Sequence, residues 1–115
     1  MIIYKGQKAE GQCGHCPVGV YDDSCNGRLI SYLKHRIVEH SPDGFQWGYG
    51  GSGPADLALN MLVDYFMRKG STLFEARQKA MPIYMKFKTE FIAKSDHILV
   101  ITRQDIDTWL RKNEK

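Results

Sequence analysis

Three cysteines offer the most direct chemistry in this chain: Cys13, Cys16 and Cys25. Cys13-Gly-His-Cys16 spells a thiol–disulfide exchange motif, but that chemistry needs a helix starting at the first thiol to lower its pKa. Here Pro17 and the strand-like Val18-Gly-Val-Tyr21 follow instead. Three thiolates completed by His35 or His40 would make a tetrahedral zinc site. One Cys-x-x-Cys plus a single further Cys is an incomplete zinc signature, so no cofactor is expected, with zinc kept as the alternative.

The second chemical feature is the run Trp47-Gly-Tyr-Gly-Gly-Ser-Gly-Pro-Ala55, four glycines in six residues followed by a helix start. Successive backbone N–H groups at a helix N-terminus form an anion cradle. The sequence therefore predicts an anionic small ligand or nucleotide held by Trp47, Tyr49, Gly50, Gly51, Ser52, Gly53 and Ala55. Neither a Lys-Ser/Thr pair after the glycines nor a βαβ setting is present, so this is not a standard nucleotide fingerprint. With Gly53 as N-cap and Pro54 first, Asp56 falls at the third helical position, where its charge would repel a phosphate. The competing reading is a structural loop that lets the chain turn tightly over an aromatic core.

Ser52 lies near His40 and Asp43 in sequence, but the nucleophile elbow G-x-S-x-G fails at Pro54. The domain is expected to bind rather than catalyse. Phe45, Trp47 and Tyr49 alternate as on one strand face and could stack bases, yet rings this large usually make core. Arg77 and Lys88 flank one edge of a helical apolar stripe and Lys79 and Lys86 the other, as snorkelling rim residues do. Nucleic acid is set aside on that basis.

These residues need elements to position them. Strands are predicted at Ile2 to Lys5 and Val18 to Asp22, with Asn26-Gly27 as a turn. Leu29 to His35 reads as irregular or a helical turn. Arg36 to His40 is expected to pair through Ser41-Pro-Asp-Gly44 with Phe45 to Tyr49. A first helix runs from Pro54 to about Lys69, stopped by Gly70. A second starts after Thr72 with Glu75 closing a capping box, and carries Leu73, Ala76, Ala80, Ile83, Tyr84, Phe87 and Phe91 on one stripe. Pro82 is expected to bend it without ending it. His97 to Ile101 reads as a strand, and Thr102 with Asp105 caps a short last helix presenting Ile106, Trp109 and Leu110. The fold class is α+β: a small, mostly antiparallel sheet packed by two main helices and a short C-terminal helix.

A chain of 115 residues with 43% hydrophobic residues is read as a single domain, residues 1–115, able to bury roughly 65% of its unfolded surface. No apolar run approaches the roughly 18 residues of a membrane span. The opening Met-Ile-Ile-Tyr-Lys lacks a leader pattern and the cysteine count is odd, so a cytoplasmic protein with free thiols is expected. The net charge of +3 is uneven: Asp64 onward holds 11 Lys and Arg against 7 Asp and Glu. This suits an anionic partner without requiring one.

The block from His40 to Leu59, His-Ser-Pro-Asp-Gly-Phe-Gln-Trp-Gly-Tyr-Gly-Gly-Ser-Gly-Pro-Ala-Asp-Leu-Ala-Leu, resembles the bacterial and phage family of unknown function DUF6166. The likeness extends to Leu62 and recurs at Ile3-Tyr-Lys-Gly6, at Tyr84 to Phe91 with its Phe87-Lys88, and at Leu99 to Leu110. It implies one compact domain in a phage or mobile-element context, with no assigned reaction or ligand. The stretch from Cys13 to Cys25 lies outside that pattern. The expected function is thus a non-catalytic accessory domain binding an anion at the glycine loop. A protein-interaction domain with a purely structural loop, and a zinc module, are the alternatives.

Overall fold

A computed structural model describes residues 1–8, 16–22, 27–39, 44–95 and 97–113. Three strands come first: β1 (Ile2–Gln7), β2 (Gly19–Asp22) and β3 (Arg28–Tyr32). Helices α1 (Ser52–Arg68), α2 (Leu73–Ala80) and α3 (Tyr84–Phe87) follow, and α3 runs into a π turn over Lys88–Ile92. Strand β4 (Ile98–Thr102) and helix α4 (Arg103–Asn113) close the described chain. The strands form one antiparallel sheet in the order β3-β2-β1-β4, so the fold is α+β as expected.

Register explains which face of the sheet is covered. Tyr4 stands opposite Val20 on one side and Ile101 on the other, and all three are buried. Gly6, two residues along on the same face, leaves room for an aromatic ring: a Cβ there would lie 2.6 Å from the Trp47 ring. Against this face packs α1, in which every residue from Gly53 to Tyr65 is buried. A helix buried on all sides needs cover beyond the sheet, and α2, α3 and the π turn supply it. Phe87 meets Phe91 and Trp109 with ring centroids 4.9 and 5.2 Å away, tying α3 to α4.

Both capping boxes form. Thr72 and Glu75 exchange hydrogen bonds at the start of α2, and Thr102 and Asp105 do so before α4. Gly70, at φ +108°, ends α1.

Four expectations need correction. Leu29 to His35 is not a helical turn: its first part belongs to β3, because Tyr21 and Gly19 of β2 offer it a pairing edge. The hairpin of Arg36 to His40 with Phe45 to Tyr49 is absent among the described residues, and side chains of α1 rather than a strand satisfy the backbone of Ile37; His40 and the turn residues Ser41, Pro42 and Asp43 lie outside them. The helix starts two residues early, with Gly51 as N-cap and Ala55 N–H donating to its carbonyl. Finally, Pro82 interrupts the second helix. Without an N–H it cannot continue the ladder, so α2 stops at Ala80, Ile83 N–H turns back to Ala80 C=O, and α3 restarts at Tyr84.

Candidate functional site

Among the described residues the buried polar and charged side chains Asp56, Asn60 and Asp64 all belong to α1. Asp56, Asn60 and Asp64 are spaced four residues apart, which aligns them along one face, and each is buried. Burial of this kind is tolerated only where every group finds a partner. Asp56 accepts from Glu39 N–H and pairs with His35 Nε2 at 2.8 Å. Asn60 accepts from Ile37 N–H at 2.9 Å and donates to Ile37 C=O at 2.8 Å and Asp56 C=O at 2.9 Å. Asp64 accepts from Tyr4 Oη and Arg68 Nε, both at 2.7 Å. Burial first, and then the Asp64 charge, push the Tyr4 phenol far above its usual range. The column clamps the extended segment 33–39 and the sheet to α1. Its signal in the sequence is three polar residues at helical spacing in an apolar helix, which the reading of Asp56 as an acid at the helix mouth hides.

His35 and Asp56 resemble half of a catalytic triad. Among the described residues no hydroxyl or thiol hydrogen-bonds the His35 ring, which packs on Phe45 at 4.7 Å. Tyr84 lies close enough that burial, then the charges of Glu39 and Asp56, raise its phenol. The pair's visible work is to hold the segment onto the helix.

The glycine loop divides. Trp47 is fully buried and cannot stack on a ligand, whereas Tyr49 is 50% exposed. The aromatic row fails because residues 44–49 form no strand. Of the loop glycines only Gly48 has positive φ, +91°, and a Cβ there would also press on Ser95 C=O at 3.1 Å. Gly53 is required for a different reason: its Cβ would sit 2.8 Å from Gln46 Cβ. Gly51 lies under the Tyr49 ring. Ser52 is the exposed first residue of α1, and Ala55 is buried within its first turns. Asp56 is the fifth helical residue and points into the column, so the expected repulsion at the helix mouth disappears; the first turn of α1 has no acid and no side-chain cap. Lys8 stands over the loop before it, donating to Trp47 C=O, with Nζ 5.6 Å from the Trp47 ring centroid and 5.9 Å from that of Tyr49.

Cys16 is buried with a free thiol, its N–H donating to Phe45 C=O. Cys13 and Cys25 lie outside the described residues, as does His40, and His35 Nε2 is engaged by Asp56. Among the described residues no cluster of metal-ligating side chains occurs.

An apolar groove runs beside α2. One cleft of about 600 Å³ is lined by Arg36, Ile37, Val38, Leu73, Phe74 and Arg77. A second of about 410 Å³ shares Phe74 and Arg77 and reaches Met81 and Pro82. Phe74 is 69% exposed. The four basic residues expected as rim residues are occupied variously: Arg77 pairs with Glu39 at 2.7 Å, Lys79 donates to Ser71 Oγ, Lys86 to Asn113 Oδ1, and Lys88 is half-buried.

The fold and these surfaces define a small α+β domain built around one buried helix. The chain belongs to DUF6166, a family of unknown function whose pattern matches residues 4–112. No match was found among curated proteins or among solved structures. Among the described residues no helix is long and apolar enough to cross a membrane.

Proposed function

We propose that this is a non-catalytic binding domain whose ligand is an anionic small molecule, a nucleotide in the first instance, engaged beside the start of α1. The observation that carries the reading is a cation and an exposed ring set next to an uncapped helix start. Lys8 supplies a cation 5.9 Å from the Tyr49 centroid, Tyr49 an exposed ring lying against Gly51, the N-cap of α1, and the uncapped first turn of α1 the amide of the exposed Ser52. A 17-residue helix with no acid in its first turn favours negative charge there. The accessory role in a phage or mobile-element setting belongs to the same reading and rests on the family resemblance, and a cytoplasmic location is proposed with it.

Amide-resolved NMR tests it. Nucleotides and inorganic phosphate at millimolar concentration should shift the Ser52, Gly53 and Ala55 amides. Tyr49→Ala should weaken the nucleotide and spare inorganic phosphate, and Lys8→Gln should weaken both. Unmoved loop amides across the panel would leave the glycines as a structural turn.

A second reading has its own observation, the α2 groove. Contiguous exposed apolar surface marks protein contact sites, and Phe74→Ser there should remove a bound protein partner without unfolding the domain. Zinc held by Cys13, Cys16 and Cys25 is the third; elemental analysis of untagged protein would show about one equivalent.

A further inference from the structure

The sheet ends on one side in β4, and the phase of its ladder shows which backbone groups face outward there. Lys8 N–H donates to His97 C=O, and the register with β1 continues unbroken through Gly6 opposite Leu99 and Tyr4 opposite Ile101. Hydrogen-bonded and non-hydrogen-bonded pairs alternate in an antiparallel ladder, so Leu99 and Ile101 turn their backbone groups toward β1. Ile98, Val100 and Thr102 turn theirs off the edge. The Thr102 N–H agrees with this phase, since it donates to the Asp105 carboxylate at 3.0 Å and not to β1. Among the described residues the N–H and C=O groups of Ile98 and Val100 meet no partner.

An edge of this kind is a template for another strand, and folded proteins blunt it with charge, proline or a bulge. β4 has none of these. Its residues Ile-Leu-Val-Ile-Thr carry no charge and no proline, and it pairs with β1 without a register shift. The opposite edge is blunted, because β3 opens with Arg28 and is broken by a register shift against β2. On β4 the side chains of Ile98 and Val100 are 60% and 51% exposed. Helix α4 turns back under the sheet, where it touches β1 and meets Tyr65 of α1 through Asp107.

We infer that β4 pairs antiparallel with β4 of a second copy across a two-fold axis at Leu99, joining two four-stranded sheets into one. That register sets Ile98 opposite Val100 of the second copy, and the two-fold repeats the pair in reverse. The two free N–H and two free C=O groups of each chain are then satisfied, and the exposed apolar side chains cover one another. Centring the axis on Val100 would call on the Thr102 N–H that Asp105 holds, and centring it on Ile98 would set Val100 opposite residue 96, outside the strand. Charge permits the pairing. Lys5, opposite Val100 in the register, reaches the other way, with Nζ 4.9 Å from the Tyr21 ring centroid on β2. The two copies of β1 stand three strand spacings apart, roughly 14 Å, which exceeds the roughly 8–10 Å over which exposed charges act at moderate salt. A foreign strand meets no charge on β4 to select it, whereas the chain's own β4 supplies both the matching backbone phase and the apolar pair. The inference stands apart from the glycine loop and the α2 groove, sharing no residue with either.

Sedimentation equilibrium from micromolar to millimolar protein is the test, and the mass should rise to twice the 13.2 kDa of one chain. In the dimer the Ile98 and Val100 amides should gain hydrogen-exchange protection. In mixed-label samples the Ile98 methyls of one copy should show NOEs to the Val100 methyls of the other. Val100→Pro removes an N–H that the sheet of one chain does not use, a position where proline is tolerated; the variant should stay folded by circular dichroism and sediment as one chain. Val100→Lys keeps the N–H but puts a charge into the apolar pair, and gives the same reading if the proline variant unfolds. Tyr32→Lys, on the same face but at the far edge of the sheet, should leave the dimer intact. The inference is overturned by a single-chain mass at millimolar protein, by a dimer that survives the folded Val100 variants, by a dimer lost in Tyr32→Lys, or by a dimer without NOEs between Ile98 and Val100.

Discussion

Replacing Asn60 with Ala removes the one side chain that stands in for a strand partner of Ile37. In the native chain the amide satisfies Ile37 N–H and C=O together, at 2.9 and 2.8 Å, and reaches Asp56 C=O at 2.9 Å from a fully buried position. Each lost hydrogen bond costs about 1 kcal/mol, and a buried backbone group left unpaired adds roughly 1–3 kcal/mol. Water can reach part of segment 33–39, so the unpaired groups are partly rescued. Alanine returns a few tenths of a kcal/mol through helix propensity. The balance is a loss of about 2–5 kcal/mol, which at this chain length is roughly 8–20 °C in Tm. Urea denaturation gives the stability, and hydrogen exchange gives its location. In the parent chain the Ile37 amide should be protected although it belongs to no strand, and in Asn60→Ala that protection should collapse while the α1 amides keep theirs. Asn60→Asp should be at least as damaging, since it keeps the acceptor but loses both donors and adds a charge next to Asp56. A loss under about 1 kcal/mol, or an Ile37 amide exchanging freely in the parent chain, would refute the claim that α1 clamps this segment.

Phe87→Ala should cost about 3–5 kcal/mol by urea denaturation, because the ring is fully buried between α1 and α4, and a near-neutral result would mean the α3 register is wrong. Gly53→Ala should destabilise by roughly 1–3 kcal/mol through its Gln46 contact, while Gly50→Ala, which meets nothing within 4 Å, should be near neutral; equal effects would defeat the steric account of the loop. Burial disfavours the Asp107 carboxylate, but the Tyr65 hydrogen bond and the Lys69 charge outweigh it and hold its pKa below the usual value. Stability from this group is therefore present above the unfolded carboxylate pKa, near 4, and lost as pH falls through the folded value. Acid denaturation of Asp107→Asn should show a smaller fall in stability over that window than the parent chain, and an unchanged profile would count against the coupling.

Local physics was legible in the residues themselves. Thr72 with Glu75 and Thr102 with Asp105 specify their capping boxes within four residues, and Gly70 ends α1 by a backbone conformation that other residues resist. The apolar stripe of α1 and the β-branched run before Thr102 required no distant partner to be recognised, so the α+β class followed. Tertiary structure decided what depends on neighbours far along the chain. Segment 33–39 has the composition of a strand, but Asn60 and Asp56 satisfy its backbone first, so the hairpin with residues 44–49 never forms. Trp47 looks like half of a stacking pair until Gly6, forty-one residues earlier, vacates the space that buries its ring. Asp56 reads as a helix-start acid because only the folded chain brings His35 and Glu39 to it. Spacing along the chain reports hydrogen bonds that close locally; which buried polar group meets which backbone is set by packing across the sheet and helices, and no local pattern records it.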